Sequence, residues 1–272
     1  MTIAATACTS NDDAAEPPEA IEPTVTVEEA WGPWFEEADV EGTFVLKEVG
    51  SDTVQVWNAD RATTPRRPAS TFKILNSMII LETGTRSDVD ETVEWDGVDR
   101  GIEIWNQDHS LRTGIDVSAV WMYQQLAREV GETDMQEWID RAGYGNGDIG
   151  GGIDQFWLDG DLRISPLEQV EFLERFALGE LPFRPDVTTA VADILVREEG
   201  PGWTWMHKTG TALAEDPDLG WLVGVTEHDD RRFVFAMNLD LQPLTEVDTQ
   251  LDPQVRQTLA RRILESEGAL PT

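Results

Sequence analysis

The sequence predicts an α+β fold: an antiparallel sheet flanked by helices, with an inserted, mainly helical region. Three observations carry this. Strand-like runs occur near both ends of the chain, the stretch between them reads as helix broken by loops, and an amphipathic helix closes the sequence. Strands drawn from both ends into one sheet make one unit, with the helical part inserted between them.

In chain order, residues 1–24 are polar and rich in Pro, Ala and Glu, which predicts a disordered segment. VEEAWGPWFEEADV suits a short helix. GTFVLKEV, a turn at Gly50–Ser51 and DTVQVWNA suit a β-hairpin. The loop ATTPRRPA puts Pro68 just ahead of a helix start. STFKILNSMIILETG is apolar almost all round and ends at Gly84, the pattern of a fully buried central helix. From about Val89 to Glu199 the signals are mostly helical, clearest in VSAVWMYQQLAREVG and TDMQEWIDRAG. SPLEQVEFLERFALG opens on Ser165 with Glu168 three residues on, as a capping box should. GWTWMHKTGTAL, LGWLVGVTEH and RRFVFAMNLDL then read as three strands, with Asp229–Asp230 suited to the last turn. DPQVRQTLARRILESEG is the closing helix, and no internal repeat is visible.

Composition narrows the function. The 272 residues carry 53 acidic and 20 basic side chains, a formal net charge of −33. Nucleic-acid binding is disfavoured, because phosphates would be repelled. No apolar stretch is long enough for a transmembrane helix. Only three lysines occur, Lys47, Lys73 and Lys208. So much acid with so little lysine matches a surface that stays hydrated in high salt, as in a halophile; an ordinary acidic secreted protein is the alternative. The single cysteine, Cys8, excludes an internal disulfide. ATACTSNDD ahead of a proline-containing stretch resembles the end of a lipoprotein signal with a tether, yet MTIAATA lacks a basic and a full apolar region. A lipid anchor at Cys8 and an incidental cysteine both stay open.

The chemistry starts at Arg66–Ser77, RRPASTFKILNS, where Lys73 sits among Phe72, Ile74 and Leu75. A buried lysine is costly unless neutralised or paired. Ser70 lies three residues before it, so the two share a helix face, and Lys73 is the nearest base for a serine nucleophile. Alone the pair is weak, since most such spacings are a capping serine and a surface lysine. Lys208-Thr209-Gly210 on a predicted strand would offer positive charge and a glycine that lets a substrate backbone approach the strand edge. Ser118 in DVSAVW borders a helix, where a plain N-cap is the bland reading. Gly145-x-Gly147-x-x-Gly150 does not follow a strand of a βαβ unit, so dinucleotide binding is unsupported. His109, His207 and His228 have no zinc spacing, and Asp159-Gly160-Asp161 is more simply a solvated loop than a calcium site.

Together and in this order, the three serine and lysine motifs form the signature set of penicillin-recognising serine enzymes. The chain resembles a class D, oxacillinase-type serine β-lactamase over about residues 30 to 268. The resemblance rests on Ser70-Thr71-Phe72-Lys73, Ser118-Ala119-Val120, Tyr144-Gly145-Asn146, Phe156-Trp157-Leu158 and Lys208-Thr209-Gly210, with WNQDHSLRTG, AREVG and LESEG as supporting text. It implies one catalytic domain over 25–272 that hydrolyses β-lactams through an acyl-enzyme on Ser70. A β-lactam sensor domain and a penicillin-binding transpeptidase are the alternatives. Penicillin-binding proteins and class A enzymes usually carry Asn where Val120 stands; valine cannot hydrogen-bond the lysine. The resemblance then implies that Lys73 is carried as N6-carboxylysine, its carbamate formed from CO2 or bicarbonate and held by the Trp157 indole, with no metal. It also implies an oxyanion hole from the backbone of Ser70 and Thr211, a proton relay through Ser118 and Lys208, and a carboxylate site at Thr209, Gly210 and Arg256. Trp121 stands where many relatives have proline, and Thr211-Ala212 where bulkier residues are often seen. A periplasmic or otherwise extracytoplasmic location follows by the same resemblance.

Overall fold

The computed structural model describes residues 24–241 and 251–272. Cys8 and all but the last residue of the 1–24 segment lie outside them; Thr24 already belongs to a strand. Seven strands form one sheet: β1 (Thr24–Val27), β2 (Gly42–Glu48), β3 (Thr53–Trp57), β4 (Val196–Gly200), β5 (Trp203–Ala212), β6 (Leu219–His228) and β7 (Arg231–Asp240). Their spatial order is β1-β3-β2-β7-β6-β5-β4. Every neighbouring pair is antiparallel except β1 with β3, which is parallel, so the sheet is mixed.

The helices described are α1 (Gly32–Glu37), α2 (Ala59–Ala62), α3 (Lys73–Glu82), α4 (Leu111–Asp116), α5 (Val120–Val130), α6 (Glu132–Ala142), α7 (Pro166–Leu178), α8 (Pro185–Leu195) and α9 (Leu251–Ser266). Strand alternation assigns the two faces. On β7, Phe233, Phe235, Met237 and Leu239 pack with α1 and α9, while Val234 and Ala236 join the larger core under the inserted helices. The terminal helices thus cover one face, and the helical insertion covers the other.

Local signals account for most of these boundaries. Ser165 and Glu168 form the capping box of α7, each bonding the other's backbone N–H. Asp229 and Asp230 have φ of 50° and 63°, the left-handed pair that a tight hairpin between twisted strands requires. Residues Lys73 to Leu81 of α3 are all buried, as its all-round apolar sequence demands. Two strands escape the sequence patterns. β1 is four exposed residues, Val25 and Val27 only about half so, paired in parallel with β3. β4 follows α8 without a break and reads VREEG, a charged edge. Among the described residues no helix is long and apolar enough to cross a membrane.

Candidate active site

Ser70 does not lie on the α-helix with Lys73. Ala69–Phe72 form a 3-10 turn, and Lys73 starts α3. The difference matters, because side chains at i and i+3 eclipse when there are three residues per turn. Lys73 Nζ accordingly donates to Ser70 Oγ at 2.6 Å. The turn enters through Ala69 at φ 46°, a strained value for a residue with a Cβ, and Thr71 closes it with N–H and hydroxyl bonds to the Pro68 carbonyl at 3.1 and 2.7 Å.

Lys73 is 0 % exposed. Burial alone pulls its ammonium down to about 7 from the ordinary lysine value. The Tyr123 ring lies 5.3 Å from Nζ, and Phe72, the preceding residue, stacks on Trp157 at 5.6 Å. The Trp157 indole Nε1 is buried and has no hydrogen-bond partner. An orphaned donor costs about 1–3 kcal/mol, so the indole, stacked on the residue next to the lysine, calls for an acceptor.

Ser118 is not an N-cap. Ala119 takes that position on α5, and Ser118 itself has φ 57°. The twist turns its hydroxyl to Lys208, whose Nζ donates to Ser118 Oγ at 2.9 Å and to the Thr209 carbonyl at 3.0 Å. Burial, then the positive charge of Lys73, holds the Lys208 ammonium well below its ordinary value. Strand β4 pairs with β5 only as far as Met206, so from Lys208 onward β5 has no strand partner on that side.

Gly210 has a different task from the one its sequence suggests. A Cβ there would come within 3.0 Å of the Pro68 carbonyl and 3.1 Å of Thr71 Cγ2. Glycine lets the nucleophile turn seat directly on β5, while Gly210 also lines the cleft. Arg256 on α9 is 2 % exposed, and its Nη1 donates to the carbonyls of Gly210 and Trp221 at 2.5 and 3.1 Å. A Cβ on Gly220 would meet Arg256 Cδ at 3.1 Å, so that glycine makes room for the arginine.

These elements open on a cleft of about 620 Å³ lined by Ser70, Ser118, Val120, Leu158, Thr209, Gly210, Thr211 and Arg256, with Trp105 as one wall. Lys73 and Trp157 lie buried behind it. All ten residues singled out from the sequence therefore converge on one place: a serine with a neutralisable lysine at hydrogen-bond distance, a second serine–lysine pair opposite, and an arginine at the rim. That is the equipment for acyl transfer.

A penicillin binding protein transpeptidase domain model matches residues 37–265. Probable beta-lactamase YbxI of Bacillus subtilis (strain 168) is 45% identical over 202 residues, which is 74% of this chain and 75% of that protein. Beta-lactamase OXA-5 of Pseudomonas aeruginosa is 39% identical over 254 residues, 92% of this chain and 93% of that one. Among solved structures, FUS-1 (OXA-85), a class D β-lactamase from Fusobacterium nucleatum subsp. polymorphum, matches with TM-score 0.85 at 36% identity, covering 90% of this chain and 100% of that one. The chain belongs to the class D β-lactamases.

As a class D serine β-lactamase it hydrolyses β-lactams. The class D framework also explains the features that carry no chemistry. Gly145, at φ 54°, packs so closely on the Arg163 carbonyl that no side chain fits, which makes the glycine-rich run a packing device. His207 is buried on β5, beside Trp205 at 4.6 Å, and burial pushes its imidazolium down to about 3, so it is no base. Among the described residues no group of three or more His, Cys, Asp or Glu could hold a metal. Two residues of the class D site were not singled out from the sequence. Tyr123 under Lys73 reads as an ordinary core aromatic of α5, and Trp105 reached notice only within WNQDHSLRTG.

Proposed function

We propose that this enzyme hydrolyses β-lactams through an acyl-enzyme on Ser70, with Lys73 carried as N6-carboxylysine and acting as the general base. The observation that carries the reading is the 2.6 Å contact between Ser70 Oγ and a lysine that burial makes neutral near pH 7. A neutral amine adds CO2, whereas an ammonium cannot. The partnerless Trp157 Nε1 fits the added group as a hydrogen-bond donor, and the half-buried Val120 offers no side-chain competitor. When present, the carbamate supplies an anionic base next to Ser70.

Ser70 Oγ gives up its proton to the Lys73 side chain and bonds to the lactam carbonyl carbon. The backbone N–H groups of Ser70 and Thr211 receive the oxyanion. The carbonyl–nitrogen bond breaks, and the nitrogen takes a proton by way of Ser118 and Lys208. Water, deprotonated at the same Lys73 side chain, then cleaves the Ser70 ester. Thr209 and Arg256 hold the substrate carboxylate. No metal takes part. We place the enzyme outside the cytoplasm, periplasmic or tethered at Cys8; labelling with a palmitate analogue, abolished in Cys8→Ala, checks the tether.

Turnover of a chromogenic cephalosporin tests the whole reading. Many cycles per enzyme are expected, with the acyl mass on Ser70 when a slow substrate is trapped. A single burst means a sensor or transpeptidase instead. A carbon-13 bicarbonate spectrum should show a carbamate signal that Lys73→Ala lacks. An active enzyme without that signal at neutral pH means that a free lysine amine is the base.

A further inference from the structure

Trp121 is the second residue of α5, directly after Val120. It is 2 % exposed and does not itself line the cleft. Its indole N–H donates to the Trp105 carbonyl at 2.8 Å. The Trp105 indole donates in return to the Val117 carbonyl at 2.9 Å. Two bonds of opposite sense thus tie the loop carrying Trp105 to the segment carrying Ser118 and Val120. The Trp121 ring is itself fixed. The Arg100 guanidinium lies 5.4 Å from its centre and is clamped by Asp96 at 2.9 and 2.6 Å, and His109 packs 6.1 Å away.

The loop needs such a tie. Its 3-10 turn, Glu103–Trp105, buries no residue, and Ile102 and Ile104 are 40 and 52 % exposed. Apart from Trp105, half-buried against the main core, the turn has no apolar anchor, and a segment so thinly anchored opens at little cost in free energy. Trp105 nonetheless forms a wall of the cleft. A wall fixed before binding spares the ordering cost that a mobile one would add to each encounter. A proline at 121 has no side-chain donor and could not make the tie.

We propose that Trp121 is a positioning residue that sets discrimination among β-lactams by their side chains. It acts through the Trp105 carbonyl, holding the apolar wall on which the substrate side chain packs, and leaves the bond-making steps unchanged. This rests on the cleft being the β-lactam site.

The test compares benzylpenicillin with 6-aminopenicillanic acid, which has the same nucleus without the aromatic side chain. Trp121→Phe keeps the ring and deletes the donor. For benzylpenicillin KM should rise roughly 2- to 10-fold, the range of one net hydrogen bond. Its kcat should stay within about twofold, as for a lost binding contact. 6-Aminopenicillanic acid should be unaffected, and the same substitution in a Trp105→Ala background should change nothing further. Equal changes for both substrates, or an undiminished effect in that background, overturn the proposal. Should Trp121→Phe fail to fold, Trp121→Met, an adaptable apolar filler that also lacks the donor, carries the same expectations. Ser70→Ala is run in parallel. If it still hydrolyses benzylpenicillin, the reading of the site fails; if it is dead while Trp121→Phe leaves KM unmoved, only the brace fails.

Discussion

Lys208 donates to Ser118 at 2.9 Å, and its own ammonium is disfavoured first by burial and then by the charge of the buried Lys73. The two lysines cannot both be cations without mutual penalty in one desolvated site. Neutralising Lys73, and more so giving it negative charge, removes one of the charges that oppose the Lys208 ammonium. The relay pair and the base are therefore one electrostatic unit, and each part predicts the behaviour of the other.

The first prediction concerns pH. Burial lowers the Lys73 ammonium to about 7, so it is neutral above that pH and protonated below. Only the neutral form adds CO2 or accepts the Ser70 proton. Activity should fall as pH drops through about 7, and added bicarbonate should restore it on the acid side. Profiles of kcat/KM with and without bicarbonate check this. An acid limb indifferent to bicarbonate counts against the carbamate.

The second concerns Gly210. An alanine would press its Cβ on the Pro68 carbonyl and Thr71 Cγ2 at 3.0 and 3.1 Å, distances at which the neighbour must give way. The neighbour is the nucleophile turn, already strained at Ala69. Gly210→Ala should lower kcat at least tenfold, with overpacking costing about 1–3 kcal/mol of stability. A crystal structure should show Ser70 displaced from Lys73. Wild-type kcat in a stable variant would mean that the turn adapts freely.

How much of this was legible in the sequence follows from the range of each interaction. Ser165 with Glu168, Asp229–Asp230 and the apolar run of α3 declare themselves because their partners are within a few residues. The Ser70–Lys73 pair was legible in spacing but not in geometry, since 3-10 and α turns share the same i, i+3 pattern and only the seating on β5 selects between them. Gly210 was visible as a glycine, yet its neighbour, Pro68, is set by tertiary packing. Tyr123 was unreadable as a site residue, because a buried aromatic on a helix looks the same whether it faces a lysine or plain core; Trp121 was visible only as a departure from proline, since its partner loop is set by tertiary packing. β1 and β4 were missed because pairing, and not their own pattern, makes them strands; the β-branched run TVTV was the one available hint.

The third prediction concerns Arg256. Its guanidinium already bonds the Gly210 and Trp221 carbonyls, so it fixes the end of β5 in addition to the proposed role on a substrate carboxylate. Arg256→Ala should raise KM for carboxylate-bearing β-lactams by the equivalent of about 1.5–3 kcal/mol. Arg256→Lys should recover part of this, since charge returns without the forked geometry. Steady-state kinetics of both variants check it. An unchanged KM would leave the carboxylate to another group.

The fourth concerns salt. A formal charge of −33 opposes compaction of the chain and the approach of an anionic β-lactam. The acid is only partly neutralised by exposed pairs such as Arg231–Glu48 and Arg112–Asp90, each bridged within 2.8 Å. Pairs this open contribute little and cannot offset the field. Screening can, because the Debye length contracts to roughly 3 Å at 1 M salt. Stability and kcat/KM should therefore both rise from low toward molar salt. Since kcat reports only the steps after the anion has bound, it should change less than kcat/KM. Urea midpoints and kcat/KM measured from about 0.05 to 1 M sodium chloride, over which the Debye length shrinks roughly fourfold, decide the matter. Flat or falling curves would make the acidic surface an ordinary solubility feature instead of an adaptation to high salt.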